Sequence, residues 1–289
     1  MRHPTFAPRT LSHPLCSAVR QGTPASPPDG ERLSALINLH RLLPRRVIED
    51  ALALSIPLAS REGFIRQILG WREFVFHVHR ETDGFRQHPA GPATDNAVEE
   101  AQDESAKPSY LGAADPLPAA YWGTPSGLTC LDRVVSDVWA EGYSHHITRL
   151  MVLANIATLL DVSPRDLTDW FWVAYTDAYD WVVEPNVLAM GTYAVGDLMT
   201  TKPYVSGAAY INKMSDYCRH CGFDPGKTCP ITPLYWAFLA RHEARLQDNP
   251  RLRLPLQALR RRAPDQRARD TRIFEMTAAA LRAGGRLTP

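Results

Sequence analysis

The sequence predicts an all-α protein, and two observations support this. From about residue 31 onward apolar residues recur at helical spacing, and no segment sustains the alternation that is typical of a β-strand. Gly142 separates two of the predicted helices, and Ser163-Pro164 is an N-cap followed by proline at the first helical position. The helices predicted in the second half of the chain cover approximately residues 128–140, 144–161, 163–181, 206–217, 230–246, 251–262 and 267–283.

The helices predicted in the first half are shorter. Leu33, Leu36 and Ile37 fit one helical face, and Pro44 is placed to open a second helix. A third helix is predicted over residues 60–80, with Ser60 as its N-cap. Apolar side chains recur there at spacings of three and four, which in isolation indicates an ordinary buried face.

Composition changes along the chain predict its organisation. Residues 1–30 are rich in proline and read as a disordered leader, followed by one helical domain over residues 31–289. Residues 81–118 are polar and form a predicted long surface linker. Residues 250–289 form Arg-rich C-terminal helices, which are either a phosphate-contacting surface or an ordinary solvated tail.

Bulk properties limit the class of protein. The net charge of +1 and the hydrophobic fraction of 45% are typical of a globular chain, so nucleic-acid binding would need a local basic surface. No apolar run is long enough to span a bilayer, and no secretory signal is recognisable, so we expect no membrane partner and a cytoplasmic location. Five cysteines, an odd number, then favour free thiols or metal ligands over disulfides.

Four of the cysteines have the spacing of a metal site. Cys218, Cys221 and Cys229 lie close together in the sequence, and Cys130 lies on a distant predicted helix. Four thiolates can hold either zinc or an iron–sulfur cluster, and the ligand type alone does not separate them. In the zinc interpretation His220 could replace one cysteine.

Several motifs between residues 121 and 230 together resemble one family. They include Gly142-Tyr143-Ser144-His145-His146, Asp169-Trp170-Phe171-Trp172 and Met214-Ser215-Asp216-Tyr217-Cys218. This combination resembles the flavin-binding half of the iron–sulfur bacterial branch of the photolyase/cryptochrome family, often called prokaryotic (6-4) photolyases. The resemblance extends over nearly all of residues 32–260.

The resemblance implies two cofactors, FAD and a [4Fe–4S] cluster, with the cluster held by Cys130, Cys218, Cys221 and Cys229. Arg149 and Asp177 match the charged pair beside the flavin ring, where a guanidinium stabilises the reduced anionic form. Val183 stands where relatives often have an acidic residue. The full set of implied flavin-binding residues is Ser34, Trp71, Arg149, Asn155, Asp177, Tyr179, Val183 and Asn186.

The resemblance also implies a substrate pocket. His145 and His146 would line it together with Tyr204, with His146 as the proton donor. On a helix His145 would share a face with Arg149, while His146 would point about 100° away. Trp122 and Trp170 match electron-transfer aromatics, with Tyr210 as a terminal donor. Without the resemblance, these aromatic residues would be read as core.

The implied function is light-dependent repair of UV photoproducts in DNA, with the (6-4) lesion as the expected substrate and electron transfer from photoexcited reduced FAD as the mechanism. The expected partner is UV-damaged DNA, and a monomer is expected. Relatives carry an α/β antenna domain for which this sequence has no counterpart, so a partner in trans would have to supply it. The alternatives are a cryptochrome-like photoreceptor without repair activity, an inactive or split photolyase remnant, and a zinc-binding structural protein.

Overall fold

The computed structural model describes residues 33–86 and 107–289. Within these ranges the chain is helical and contains no strand, apart from an isolated bridge between Asp115 and Val162. The all-α prediction is therefore confirmed for the described part of the chain. The predicted leader, residues 1–30, lies outside the described residues.

Three helical stretches precede the linker. α1 is Leu33–Asn38 and α2 is Pro44–Ala53, with proline at its first position. α3, Leu58–Ile65, runs through a π-helical segment, Arg66–Trp71, directly into α4, Arg72–Glu81. Ser60 lies inside α3, and Pro57 rather than Ser60 occupies the N-cap position.

The second half of the described chain carries the remaining helices. Short 3₁₀ turns at Ala119–Trp122, Gly196–Leu198, Tyr217–His220 and Pro250–Leu252 connect several of them. Two further π-helical segments cover Arg149–Ala154 and Glu184–Gly191. The α-helices are α5 Thr129–Glu141, α6 His146–Thr148, α7 Asn155–Leu159, α8 Pro164–Ala174, α9 Asp180–Val183, α10 Ala208–Met214, α11 Ile231–Arg241, α12 Glu243–Leu246, α13 Arg253–Arg261 and α14 Pro264–Arg282.

The helix predicted over residues 163–181 is interrupted. α8 ends at Ala174, because Tyr175 and Tyr179 adopt extended backbone conformations. The intervening loop is held against the end of α5, where the Thr176 amide donates to the Gly142 carbonyl at 2.9 Å. Gly142 has a φ of 62°, and a Cβ there would lie 2.7 Å from the Thr176 side chain, so this contact requires glycine.

One large apolar core holds the second half together. Its centre is formed by the fully buried Tyr121, Leu153 and Trp170, contributed by different elements. α14 packs along α11, so the C-terminal Arg-rich region is part of the folded body. The described end of the linker also packs on this body, since the Tyr110 amide donates to the Ala194 carbonyl at 2.7 Å. The part of the predicted linker at residues 87–106 lies outside the described residues.

Every helix within residues 33–86 and 107–289 is too short or too polar to span a bilayer.

Candidate functional site

A buried ion pair lies at the centre of the candidate site. Arg149 Nη1 and Nη2 donate to Asp177 Oδ1 and Oδ2 at 3.0 and 3.1 Å, which is a bidentate arrangement. Arg149 Nε donates to the Ser144 carbonyl at 2.8 Å. The guanidinium also lies over the rings of Tyr143 and Tyr175, at 4.8 and 4.2 Å from their centroids. The positive charge is therefore fixed in one position and orientation.

α1 is tied to the same ion pair. Ser34 Oγ donates to Asp177 Oδ2 at 2.8 Å, and Asn38 Nδ2 donates to the Asp177 carbonyl at 2.9 Å. The structure thus brings Ser34 to the group formed by Arg149 and Asp177, although these residues are far apart in the sequence. A contact of Ser34 with a flavin diphosphate stays a prediction.

The two predicted cofactor amides make internal hydrogen bonds. Asn186 Oδ1 accepts from Trp71 Nε1 at 2.8 Å, which joins two of the predicted flavin residues directly. Asn155 is fully buried, and its side chain accepts from the Ser206 amide at 2.9 Å and donates to the Ser206 carbonyl at 3.2 Å. Trp71 is only half-buried, so the core interpretation of its helical spacing does not hold at this position.

The other two predicted flavin residues lie at the two ends of α9. Val183 is buried at the end of α9, and Tyr179 immediately precedes that helix. The three π-helical segments contain Trp71, Arg149 and Asn186 respectively. π-helical turns are rare in proteins, and those that occur are often at functional sites. The presence of one predicted flavin residue in each of the three segments is therefore an argument for these residues that is separate from the sequence motifs.

The histidine pair differs from the predicted geometry. α6 begins at His146, and His145 is its N-cap in an extended conformation, so His145 is not on the helix. The prediction that the two side chains point about 100° apart is therefore wrong, and their ring centroids lie 4.2 Å apart. The chain turns at His145 because its own Nδ1 accepts the Ile147 amide at 3.1 Å.

This hydrogen bond fixes the tautomer of His145. An imidazole nitrogen that accepts a hydrogen bond carries no proton, so neutral His145 holds its proton on Nε2. A protonated His145 would lose the bond to Ile147. The two adjacent rings therefore differ in their roles, since His145 is the N-cap of α6 and His146 is its first residue.

The other predicted substrate-side residues lie near α10. Tyr204 is partly exposed in the segment that precedes α10, and Tyr210 is exposed on α10 itself. The Asn155–Ser206 hydrogen bonds fix the chain between them. Their roles in substrate or electron transfer stay predictions.

Trp122 and Trp170 are brought together through a residue that the sequence analysis missed. Trp170 is buried on α8 and Trp122 is exposed at the end of the Ala119–Trp122 turn. Trp139 of α5 contacts both rings. Tyr175, which lies beneath Arg149, was also missed. The sequence spacing of Trp139 and Tyr175 does not mark them as site residues. Their positions depend on how α5 packs on α8 and on where α8 ends.

The four predicted cysteine ligands line one small pocket. Its other walls are mostly apolar: Leu128, Ala208, Ile211, Tyr217, Phe223, Pro225 and Ile231. His220 is exposed and is not part of the lining. Burial raises the pKa of the Cys130 thiol well above its usual range and that of Cys229 to about 11, so neither is a thiolate near neutral pH without a bound cation.

In the described residues, no three His, Cys, Asp or Glu side chains form a group that could hold a metal ion. The described residues therefore support neither the zinc interpretation nor the [4Fe–4S] cluster, and the four metal ligands stay predictions.

Comparison with known proteins supports one protein class. The chain is 37% identical over 216 residues, 73% of its length, to a (6-4) photolyase of Agrobacterium fabrum (strain C58 / ATCC 33970). It spans 39% of that relative's length. A second match, 41% identical over 66 residues, is the uncharacterized protein R855 of Acanthamoeba polyphaga mimivirus and covers 23% of this chain and 54% of that protein.

No family model matches the chain. The helical fold and the similarity to the Agrobacterium protein together support the photolyase/cryptochrome family.

Proposed function

We propose that this protein repairs UV-damaged DNA in a light-dependent reaction, with the (6-4) pyrimidine–pyrimidone lesion as its substrate. The observation that carries the proposal is the 37% identity to a (6-4) photolyase over 73% of the chain. Two hydrogen-bonded groups support a cofactor site: one joins Arg149, Asp177 and Ser34, and the other joins Trp71 and Asn186.

The residues present suit FAD. The fixed guanidinium of Arg149 can stabilise an anionic isoalloxazine, and Trp71, Asn186, Asn155, Tyr179 and Val183 supply the adjoining surface. When bound, FAD would supply the photoexcited electron that drives repair. Asp177 holds Arg149 in position and compensates its charge, so the pair can lie away from water.

The histidine pair accounts for the proton that (6-4) chemistry requires. We place the extruded lesion against His146 and Tyr204, because enzymes that act on a base move it out of the duplex to reach their side chains. His146 would donate a proton to the lesion and recover it when the oxygen has returned to its original base. His145, held with its proton on Nε2, would orient the base.

We also propose that Cys130, Cys218, Cys221 and Cys229 hold a [4Fe–4S] cluster. Support comes from the sequence resemblance and from the presence of all four cysteines in the lining of one mostly apolar pocket. Such a cluster would join the Tyr217–His220 turn and the start of α11 to α5, so its role would be structural. An antenna-carrying partner in trans and a monomeric state stay predictions.

The repair proposal predicts that an oligonucleotide with a single (6-4) photoproduct is restored under blue light and not in the dark. His146→Ala should lower repair by about 100-fold or more, because a general acid contributes about 10²- to 10⁴-fold, while the flavin content stays the same. Product is measured by chromatography of the oligonucleotide, with a cyclobutane-dimer oligonucleotide as the lesion control. Light-induced flavin bleaching without any repair would instead indicate a photoreceptor.

The Arg-rich helices offer a second test, of DNA binding. Arg260 and Arg267 pair with Glu243, whereas Arg269 and Arg272 are exposed and make no ion pair with a described residue. Each arginine that contacts a phosphate contributes about 0.9 to the slope of log affinity against log salt concentration. We therefore expect Arg269→Ala/Arg272→Ala to weaken binding to any duplex and to reduce this slope by up to about 2.

The matched control changes two exposed arginines that pair with carboxylates on α2, Arg45→Ala/Arg46→Ala. Fluorescence anisotropy with a labelled duplex at several salt concentrations measures both variants. Equal slopes for the wild type and the α14 variant would show that these arginines form a solvated tail.

A further inference from the structure

Glu184 is a buried carboxylate that the proposed function does not use. Its side chain is 2% exposed and stands at the start of the π-helical segment Glu184–Gly191. Glu184 Oε2 lies 3.0 Å from His79 Nδ1 of α4, and Glu184 Oε1 accepts from Arg165 Nη1 of α8 at 3.3 Å. A carboxylate is costly to bury unless polar or charged groups face it. These two contacts therefore join three elements at one buried point.

The chain that follows α4 closes over this point. Asp83, Gly84 and Phe85 have φ angles of 49°, 59° and 64°, so three consecutive residues adopt the left-handed conformation. This conformation is costly for residues other than glycine, and it persists only where the surrounding structure fixes it. Phe85 is fully buried, and a Cβ at Gly84 would overlap Glu184 Oε2. The turn therefore places backbone directly against the carboxylate.

The elements joined by His79 and Glu184 also carry two of the predicted flavin residues. Trp71 ends the π-helical segment that runs into α4, and Asn186 is the third residue of the segment that Glu184 begins. Trp71 Nε1 donates to Asn186 Oδ1 at 2.8 Å. His79 lies about 12 Å further along the helical stretch than Trp71, at about 1.5 Å per residue. One polar contact therefore joins these elements near each end of α4.

The surface between these two polar contacts is apolar. Val75 of α4 is buried in one cluster with Leu188 and Ala189 of the Glu184–Gly191 segment. The Phe76 ring lies against the Trp181 ring, with centroids 5.8 Å apart. Apolar attraction is non-directional, so it holds α4 against the segment without fixing how far one element slides along the other. Polar contacts depend on direction and distance, so a buried polar pair can fix this register.

We propose that Glu184 is a positioning residue for the flavin site, an inference that rests on the proposed flavin function. Through His79 it fixes the register of α4 on the segment that Glu184 begins. This register sets where Trp71 stands relative to Asn186, the two residues that would adjoin the flavin. Binding sites must be held within about 0.5 Å of their productive geometry, so a small slide of α4 should weaken flavin binding while the protein stays folded.

A second pair in the same chain provides a matched control. His242 Nε2 lies 3.0 Å from Asp161 Oδ1, and Asp161 Oδ2 accepts from Arg241 Nε at 2.7 Å. This carboxylate faces one histidine and one arginine, as Glu184 does. It joins the end of α11 to the chain before α8, and its described side-chain contacts reach neither α4 nor the segment that contains Asn186. Loss of this pair should therefore cost stability without affecting the register of α4.

The test compares His79→Phe with His242→Phe in the full-length protein. Titration of free FAD with apoprotein measures the dissociation constant, visible circular dichroism reports the surroundings of the bound flavin, and denaturant unfolding reports stability. Phenylalanine keeps a flat ring but removes the nitrogens, so both variants should be less stable than the wild type. His79→Phe should also raise the dissociation constant of FAD about tenfold and change the dichroism, whereas His242→Phe should change neither.

Two further substitutions of His79 separate its polar contact from its packing. His79→Gln should keep the flavin affinity and dichroism of the wild type, because its amide can still donate to the Glu184 carboxylate. His79→Asn is too short to keep the contact but stays polar at a position that is 24% exposed, so it should fold even if His79→Phe does not. It should weaken FAD binding in the same direction as His79→Phe.

Unchanged FAD affinity and dichroism in the folded His79→Phe or His79→Asn variant overturn the proposal. An equal loss of FAD affinity in His242→Phe also overturns it, because the effect would then follow from lost stability alone. Wild-type protein that binds no FAD overturns both this proposal and the proposed function. Flavin-loaded protein that shows the expected His79 effects but repairs no lesion overturns the proposed function alone.

Discussion

Cys130→Ser should produce a protein without its full iron content and with a much lower free energy of unfolding. Cys130 lies on α5, while the other three cysteines lie in the segment from the Tyr217–His220 turn to α11. A cluster that bridges these elements constrains chain segments nearly 90 residues apart, as counted from Cys130 and Cys218. Removing one ligand therefore releases a long-range connection and not only a local one.

The expected size of this effect follows from the coupling of metal binding to folding. Structural zinc contributes about 10–16 kcal/mol of apparent binding free energy in small zinc domains. Because the loss of one ligand removes part of a contribution of this kind, the free energy of unfolding should fall by about 3 kcal/mol or more. Serine also leaves a hydroxyl in a pocket whose walls are mostly apolar. Iron and acid-labile sulfide per chain, together with the denaturant midpoint of anaerobically purified protein, measure the two consequences.

Cys16→Ser is the matched control for this experiment. Cys16 is the fifth cysteine and belongs to the predicted leader, so its replacement should change neither the iron content nor the denaturant midpoint. Wild-type protein that contains stoichiometric zinc and no sulfide would contradict the cluster. So would a Cys130→Ser variant as stable as the wild type.

The helical fold could be predicted from the sequence because apolar spacing reports which face of a helix is buried. The positions where helices end could not be predicted as well. α8 ends at Ala174 rather than at residue 181, because the next residues turn to place Asp177 on Arg149, a contact between distant parts of the sequence. Apolar spacing carries no signal for such an interaction.

The candidate site, like the fold, could be predicted from the sequence only in part. Arg149 and Asp177 could be chosen from motifs, but the contact of the two histidine rings depends on α6 beginning one residue after His145. The π-helical segments shift side chains by a fraction of a turn and have no recognised sequence pattern. Trp139 was missed because its importance lies in two neighbours from other elements, not in its own spacing.

Arg149→Ala should destabilise the protein by about 3 kcal/mol and abolish flavin retention during purification. The variant leaves the Asp177 carboxylate, 7% exposed, with the hydrogen bond from Ser34 Oγ among its described contacts. Removing one partner of a buried ion pair costs about 3–5 kcal/mol, and the lower value applies because the Arg149 side chain is 22% exposed and partly screened by water. The loss of packing against Tyr143 and Tyr175 adds to the effect.

Two further variants separate the structural role of Arg149 from its role toward the cofactor. Arg149→Ala/Asp177→Ala removes both charges, so it should be less destabilised than the sum of the two single variants, which a double-mutant cycle measures by denaturant unfolding. Arg149→Lys keeps the charge but loses the bidentate bond and the flat contact with both rings. If the guanidinium serves the flavin, the double variant should regain stability without regaining flavin, because no cation remains beside the ring. A double variant that regains both would show that Arg149 acts only by neutralising Asp177.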